Sequence, residues 1–147
     1  MLAKLPMEAR LKIIETAQDV IDSSAWCTGA LHEVNKKGEE RHCAIGALST
    51  AAVQLGYMEP FETSEPSVFD DPYWKDDSEF VEVSSYRPTE KGQLKIVNEY
   101  EEISDLMGWT MTEDGINPYS HVYGANDSNG FEEALKIARE YAVKAGH

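Results

Sequence analysis

Cys43 stands directly after His42, at the expected start of a helix. Helix N-termini and neighbouring imidazolium ions both lower thiol pKa values, so a thiolate nucleophile is one reading of this pair. His121 lies downstream, with Asn126 and Asp127 beyond it. Cys43, His121 and Asp127 follow the chain order of papain-like cysteine hydrolases. In that chemistry a thiolate attacks, a histidine acts as base and a carboxylate or amide orients the ring. The plainer reading makes Cys43 a small core residue and Asp127 a helix cap. Cys27, His32, His42, Cys43 and His121 are also zinc-type ligands, but none of the CxxC or HxxxH spacings of metal sites occurs, so no metal is expected. Walker-A, GxGxxG and GxSxG loops are absent too, and no cofactor is implied.

These residues need elements to place them. Apolar positions Ile13, Ile14, Ala17, Val20 and Ile21 predict a first helix after Pro6, ending near Ser23-Ser24. A second is predicted from about Cys43 to Leu55, closed by Gly56. Its face of Ala44, Gly46, Ala47 and Ala51 invites close packing and a central position. A third is expected over Thr89 to Met107 and a fourth over Asn129 to Ala145, with Asn129 and Glu132 as a capping box. Residues 31 to 42, turning at Asn35-Lys36-Lys37-Gly38, read as a β-hairpin. Residues 79 to 86 add a strand, and Ile116 to Tyr123 an edge strand because of Pro118. The expected fold is α+β with a helical majority: about four helices, a short hairpin and one or two further strands. At 147 residues the chain is expected to form one domain.

The net charge is −14. That argues against direct nucleic-acid binding, since counterion release needs Lys and Arg on phosphates, and equally against anionic membrane surfaces. Residues 59–84 hold nine acids against the single Lys75, a net −8, together with Phe61, Phe69, Tyr73, Trp74 and Phe80. They read as an insertion or long loop, and such loops often carry function. Asp70, Asp71, Tyr73, Trp74, Asp76 and Asp77 are the candidate binding residues, for a basic protein surface. The N-terminus lacks a signal-peptide core, so a cytoplasmic location with reduced thiols is expected for Cys27 and Cys43, without excluding one disulfide between them.

Trp26-Cys27-Thr28-Gly29-Ala30, Cys43-Ala44-Ile45-Gly46-Ala47-Leu48 and Asn126-Asp127 together resemble a family of small uncharacterised proteins from bacteria and their phages. Its pattern is W-x-x-G-A, a hairpin, a C-A-x-G-A-L helix and an N-D step before a C-terminal helix. The resemblance covers residues 8 to 55 and 119 to 145, with Tyr123-Gly124-Ala125 where the family's Trp would fall. It implies a fold and no activity. Three functions therefore stand side by side. The preferred one is a non-enzymatic interaction protein, binding a basic partner through its acidic segment. The others are a cysteine-dependent hydrolase or transferase using Cys43, His121 and Asp127, and a small-molecule module lined by Trp26, Trp74 or Trp109.

Overall fold

The computed structural model describes residues 2–63 and 79–146. Within them the chain runs α1 (Met7–Ser23), β1 (His32–Val34), β2 (Glu40–His42), α2 (Ala44–Gln54), β3 (Val81–Glu82), β4 (Tyr86–Pro88), β5 (Leu94–Ile96), α3 (Glu99–Met107), α4 (Pro118–Asn129) and α5 (Phe131–Lys144). The fold is α+β with a helical majority.

The first helix is amphipathic as its spacing predicts. Ile13, Ile14, Ala17, Val20 and Ile21 are buried on one face. That face packs on α2, which touches every other helix. The small side of α2 makes this central position attainable. At Gly46 an added Cβ would lie 2.0 Å from the Leu31 carbonyl oxygen, so the chain entering β1 runs directly against the helix backbone. The core is completed by Ile103, Leu106 and Met107 of α3, Val122 and Ala125 of α4, and Ala134, Leu135, Ile137, Ala138 and Ala142 of α5.

The hairpin forms in the expected place, antiparallel, with His32 opposite His42 and Val34 opposite Glu40. Asn35 closes its turn, its Oδ1 accepting from the backbone N–H groups of Lys37 and Glu39. β3 adds to the other edge of β1, giving the order β2-β1-β3.

Three expectations are corrected. The third helix begins ten residues later than predicted, at Glu99, where Asn98 caps it by accepting from the Glu101 N–H. Its predicted first half is the β4–β5 hairpin, paired Tyr86 to Ile96. Thr89 and Gln93 close that turn through Gly92, whose φ of 77° suits glycine. Ile96 is thus not the start of a buried helical stripe but a strand residue, 64% exposed. The expected edge strand at Ile116 to Tyr123 is replaced by α4. Pro118 occupies the first helical turn and Asn117 caps it, accepting from the Tyr119 N–H. Proline's fixed φ serves a helix start as well as a strand edge, and the asparagine before it decides between them. The capping box at Asn129 does not form. α4 runs through Asn129, and Gly130 precedes α5 with no side-chain cap. Asp127 accordingly lies inside α4 and caps nothing.

Candidate functional site

Two clusters of polar side chains lie in this frame. The first gathers the residues of the short motifs. Asn126 of α4 is fully buried. Its Oδ1 accepts from the Trp26 indole N–H at 2.8 Å and from the Ala44 backbone N–H at 2.9 Å. Its Nδ2 donates to the Cys27 carbonyl at 3.1 Å and to Asp127 Oδ1 at 3.3 Å. Asp127 Oδ1 also accepts from the Gly29 N–H. One amide thereby ties the Trp26–Ala30 loop, the start of α2 and α4 together.

Cys43 sits beside this junction, fully buried, as the residue that caps α2. Its sulfur accepts from the Gly46 N–H at 3.4 Å, and its own N–H donates to the Leu31 carbonyl. Of the two readings of Cys43, burial fits the small core residue and not the thiolate. Burial pushes the Cys43 thiol up to about 12, outweighing the hydrogen bonds from the Gly46 and Ile45 backbone, which act the other way. The helix N-terminus is real, but its donors are already satisfied within the fold. His121 lies exposed on α4 with its Nδ1 against the Tyr141 hydroxyl at 2.7 Å. Among the described residues no hydrogen bond joins Cys43 to His121, so the hydrolase arrangement of Cys43, His121 and Asp127 is not assembled. Cys27 and Cys43 are both free thiols. Of the three tryptophans, Trp109 is buried in the core and Trp26 packs on Phe131, its rings 6.2 Å apart. Trp74, like Asp70, Asp71, Tyr73, Asp76 and Asp77, lies outside the described residues.

The second cluster was not anticipated as a unit. His32 and His42 face each other across the β1–β2 hairpin, with their Nδ1 atoms 2.7 Å apart. Glu99, the first residue of α3, places its carboxylate on His32 Nε2 at 2.7 and 2.9 Å. Ser49 of α2 and Ser85 donate their hydroxyls to the two oxygens of Glu99. At the other end, Glu40 Oε2 lies 3.8 Å from His42 Nε2. His32, His42, Ser49, Ser85 and Glu99 are all buried, while Glu40 reaches solvent. The result is a chain Glu99–His32–His42–Glu40 running from the interior to the surface. Burial alone would raise the Glu99 carboxyl, but the bond and charge of His32 and the two serine hydroxyls together hold it below its ordinary value. The contact with His42 likewise lowers Glu40.

Sequence pattern holds part of this cluster. A hairpin centred on residues 35–38 sets His32 and His42 at matched positions on one face. Glu99 carries no such signal, because it stands among Glu101 and Glu102 in an acidic first turn. Among the described residues no group of three or more His, Cys, Asp or Glu side chains is arranged to hold a metal ion. No helix among them is long and apolar enough to cross a membrane.

A row of tyrosines marks the outer surface near the first cluster. Tyr100 meets Tyr119 edge-on at 4.3 Å, and Tyr119 stacks with Tyr123 at 6.0 Å. Burial raises the Tyr123 hydroxyl first, and the negative charges of Asp127 and Glu82 add to it.

Residues 6–142 match the model of a family of unknown function, DUF6197. The chain belongs to that family. The match takes in the middle of the chain as well as the two stretches that carry the short motifs. No curated protein and no solved structure matches the chain. Membership in DUF6197 therefore assigns no chemistry to the Asn126 junction or to the buried histidine pair.

Proposed function

We propose that this protein acts by binding a basic surface of a partner protein, without catalysing a reaction. The observation that carries the reading is the charge distribution: a net −14, of which residues 59–84 hold −8 among five aromatic side chains. Charge of one sign steers an opposite partner and suppresses like-charged ones. Aromatic rings next to carboxylates suit guanidinium and ammonium groups, which stack on ring faces. The row Tyr100, Tyr119 and Tyr123, with Asp127 and Glu82 nearby, extends that chemistry onto the described surface. The burial of Cys43 and its raised thiol favour this reading over a cysteine hydrolase. The setting that fits is the cytoplasm of a bacterium or of a phage-infected host, as the motif resemblance implies. There a small acidic protein can occupy the basic surface of a nucleic-acid-binding protein.

The test compares two variants of equal net charge, using an arginine-rich peptide as probe at physiological salt. Asp70, Asp71, Asp76 and Asp77 are changed to Asn in one, and Asp19, Asp22, Glu132 and Glu140 to their amides in the other. The first is expected to lose at least tenfold in affinity and the second to lose little. Equal losses would mean that net charge alone attracts the peptide and that residues 70–77 are not the site.

A further inference from the structure

We propose that Asn129 is a site of spontaneous modification, where the side-chain amide closes on the backbone nitrogen of Gly130, sheds ammonia and leaves a carboxylate in the turn between α4 and α5.

The chain has five asparagines, and all of them lie among the described residues. Four are held out of this reaction by the fold or by the residue that follows. Asn35 is buried, with Oδ1 accepting from the Lys37 and Glu39 N–H groups and Nδ2 donating to Glu39. Asn98 caps α3, accepting from the Glu101 N–H, and its Nδ2 reaches the Glu101 carboxylate at 3.4 Å. Asn126 is fully buried, with both ends of its amide bonded. Asn117 precedes Pro118, whose nitrogen carries no hydrogen and cannot attack an amide. Asn129 differs from all four. It is exposed, and among the described residues its amide holds no hydrogen bond. The next residue is Gly130, which has no side chain to shield its backbone nitrogen.

The backbone points the same way. Asn129 is the last residue of α4, and Gly130 has already left the helix, with φ 98° and ψ 167°. The Gly130 N–H still points back, donating to the Asn126 carbonyl at 3.3 Å, beyond the usual length of such a bond. A Cβ added at Gly130 would meet nothing within 4 Å, so the turn does not crowd the reacting atoms. Helical backbone at Asn129 keeps Cγ away from the Gly130 nitrogen. The ring therefore closes when this last turn frays, as helix ends do.

In the first step the Gly130 nitrogen bonds to Asn129 Cγ, and the Cγ–Nδ2 bond breaks. Nδ2 leaves as ammonia, taking the hydrogen that the Gly130 nitrogen gives up, and a succinimide ring remains. Water then opens the ring at either carbonyl. Opening at Cγ gives aspartate. Opening at the main-chain carbonyl gives isoaspartate, whose main chain runs through Cβ and Cγ. Either product adds one negative charge. Isoaspartate also lengthens, by one carbon, the Gly130 link that joins α4 to α5 beside the Asn126 junction.

Peptide mapping by mass spectrometry tests the site, on folded protein kept at pH 8 and physiological temperature. It reads the mass gained when NH2 becomes OH, so isomerisation at Asp114-Gly115, which leaves the mass unchanged, does not interfere. Asn129 is expected to convert at least about tenfold faster than Asn35, Asn98 or Asn126, and mainly to isoaspartate. Equal conversion at another asparagine of the folded protein overturns the proposal. So does an Asn129 that stays intact in the folded protein while a guanidinium-unfolded sample converts it. Aspartate without isoaspartate overturns the ring step, because direct hydrolysis by water gives aspartate alone.

Discussion

At the scale of single residues, the Asn126 amide joins three separate parts of the described chain. Both ends of its amide are committed, Oδ1 to two donors and Nδ2 to two acceptors. Asn126→Asp tests this with one atom changed. The new oxygen would face the Cys27 carbonyl and the Asp127 carboxylate, so two attractions become repulsions in a buried site. A loss of about 2–4 kcal/mol is expected in chemical denaturation. A loss under about 0.5 kcal/mol would show that the junction does not hold the Trp26–Ala30 loop. The Asn126-Asp127 step stood out in sequence because it recurs with the W-x-x-G-A and C-A-x-G-A-L elements, yet its role did not. A linear pattern shows that residues travel together, but not that one amide bridges a separation of a hundred positions. Cys43 allows two readings in sequence, a thiolate and a small core residue, and its burial fits the second. Its place at a helix start was legible, and local rules gave it a low thiol pKa. Burial raises the thiol instead, and burial depends on tertiary packing that local rules do not contain.

At the scale of elements, periodicity places helices where one face alone is buried. α1 and α5 are of this kind, and both lie within two residues of their predicted bounds. Periodicity fails over Thr89 to Ile96, where Ile96 continues the stripe of α3 but lies, like Leu94, exposed on a two-stranded ribbon. The turn chemistry of Thr89 and Gly92 outweighs a hydrophobic spacing with nothing to pack against. The small face of α2 was read as a packing surface, and Gly46 bears that out. Gly46→Ala would force a methyl into the Leu31 carbonyl, with His32 Cε1 only 3.0 Å away. Alanine ordinarily favours a helix by about 1 kcal/mol over glycine. Here the sign is expected to reverse, with a net destabilisation of about 1–3 kcal/mol, because backbone must move. The outcome that contradicts this packing is an alanine variant with a raised melting temperature. A useful comparison is Gly124→Ala in α4, where an added Cβ meets nothing within 4 Å and the ordinary helix preference should show.

At the scale of the whole molecule, fold and charge divide along the chain. The helices and the β1–β2 hairpin bury a mostly apolar core, in which titratable groups are accommodated in different ways. Glu99 is satisfied by donors and stays ionised, whereas the two thiols are simply removed from water. This sets how stability depends on pH. Glu99 and Glu40 have folded pKa values below their unfolded ones, so their contribution is present above the ordinary carboxylate range and is lost as pH falls through the folded values. Cys27 and Cys43 act at the other end. Burial pushes both up to about 12 from an ordinary 9.0. Above that ordinary value the unfolded chain gives up two protons that the folded chain keeps, so ionisation favours unfolding. Each thiol should then lower stability by about 1.4 kcal/mol per pH unit, until the folded values are reached. Tyr119, also raised to about 12, steepens the fall above its ordinary 10.0. Urea denaturation between pH 8 and pH 11 under reducing conditions measures the slope. Cys27→Ala and Cys43→Ala each remove one titrating group, so each is expected to flatten the alkaline limb by about half between pH 9 and pH 10, and by a smaller share above pH 10 where Tyr119 also titrates, whatever it costs in stability at pH 7. An alkaline limb of the same slope in the wild type and in both variants would show that the thiols are not the groups responsible.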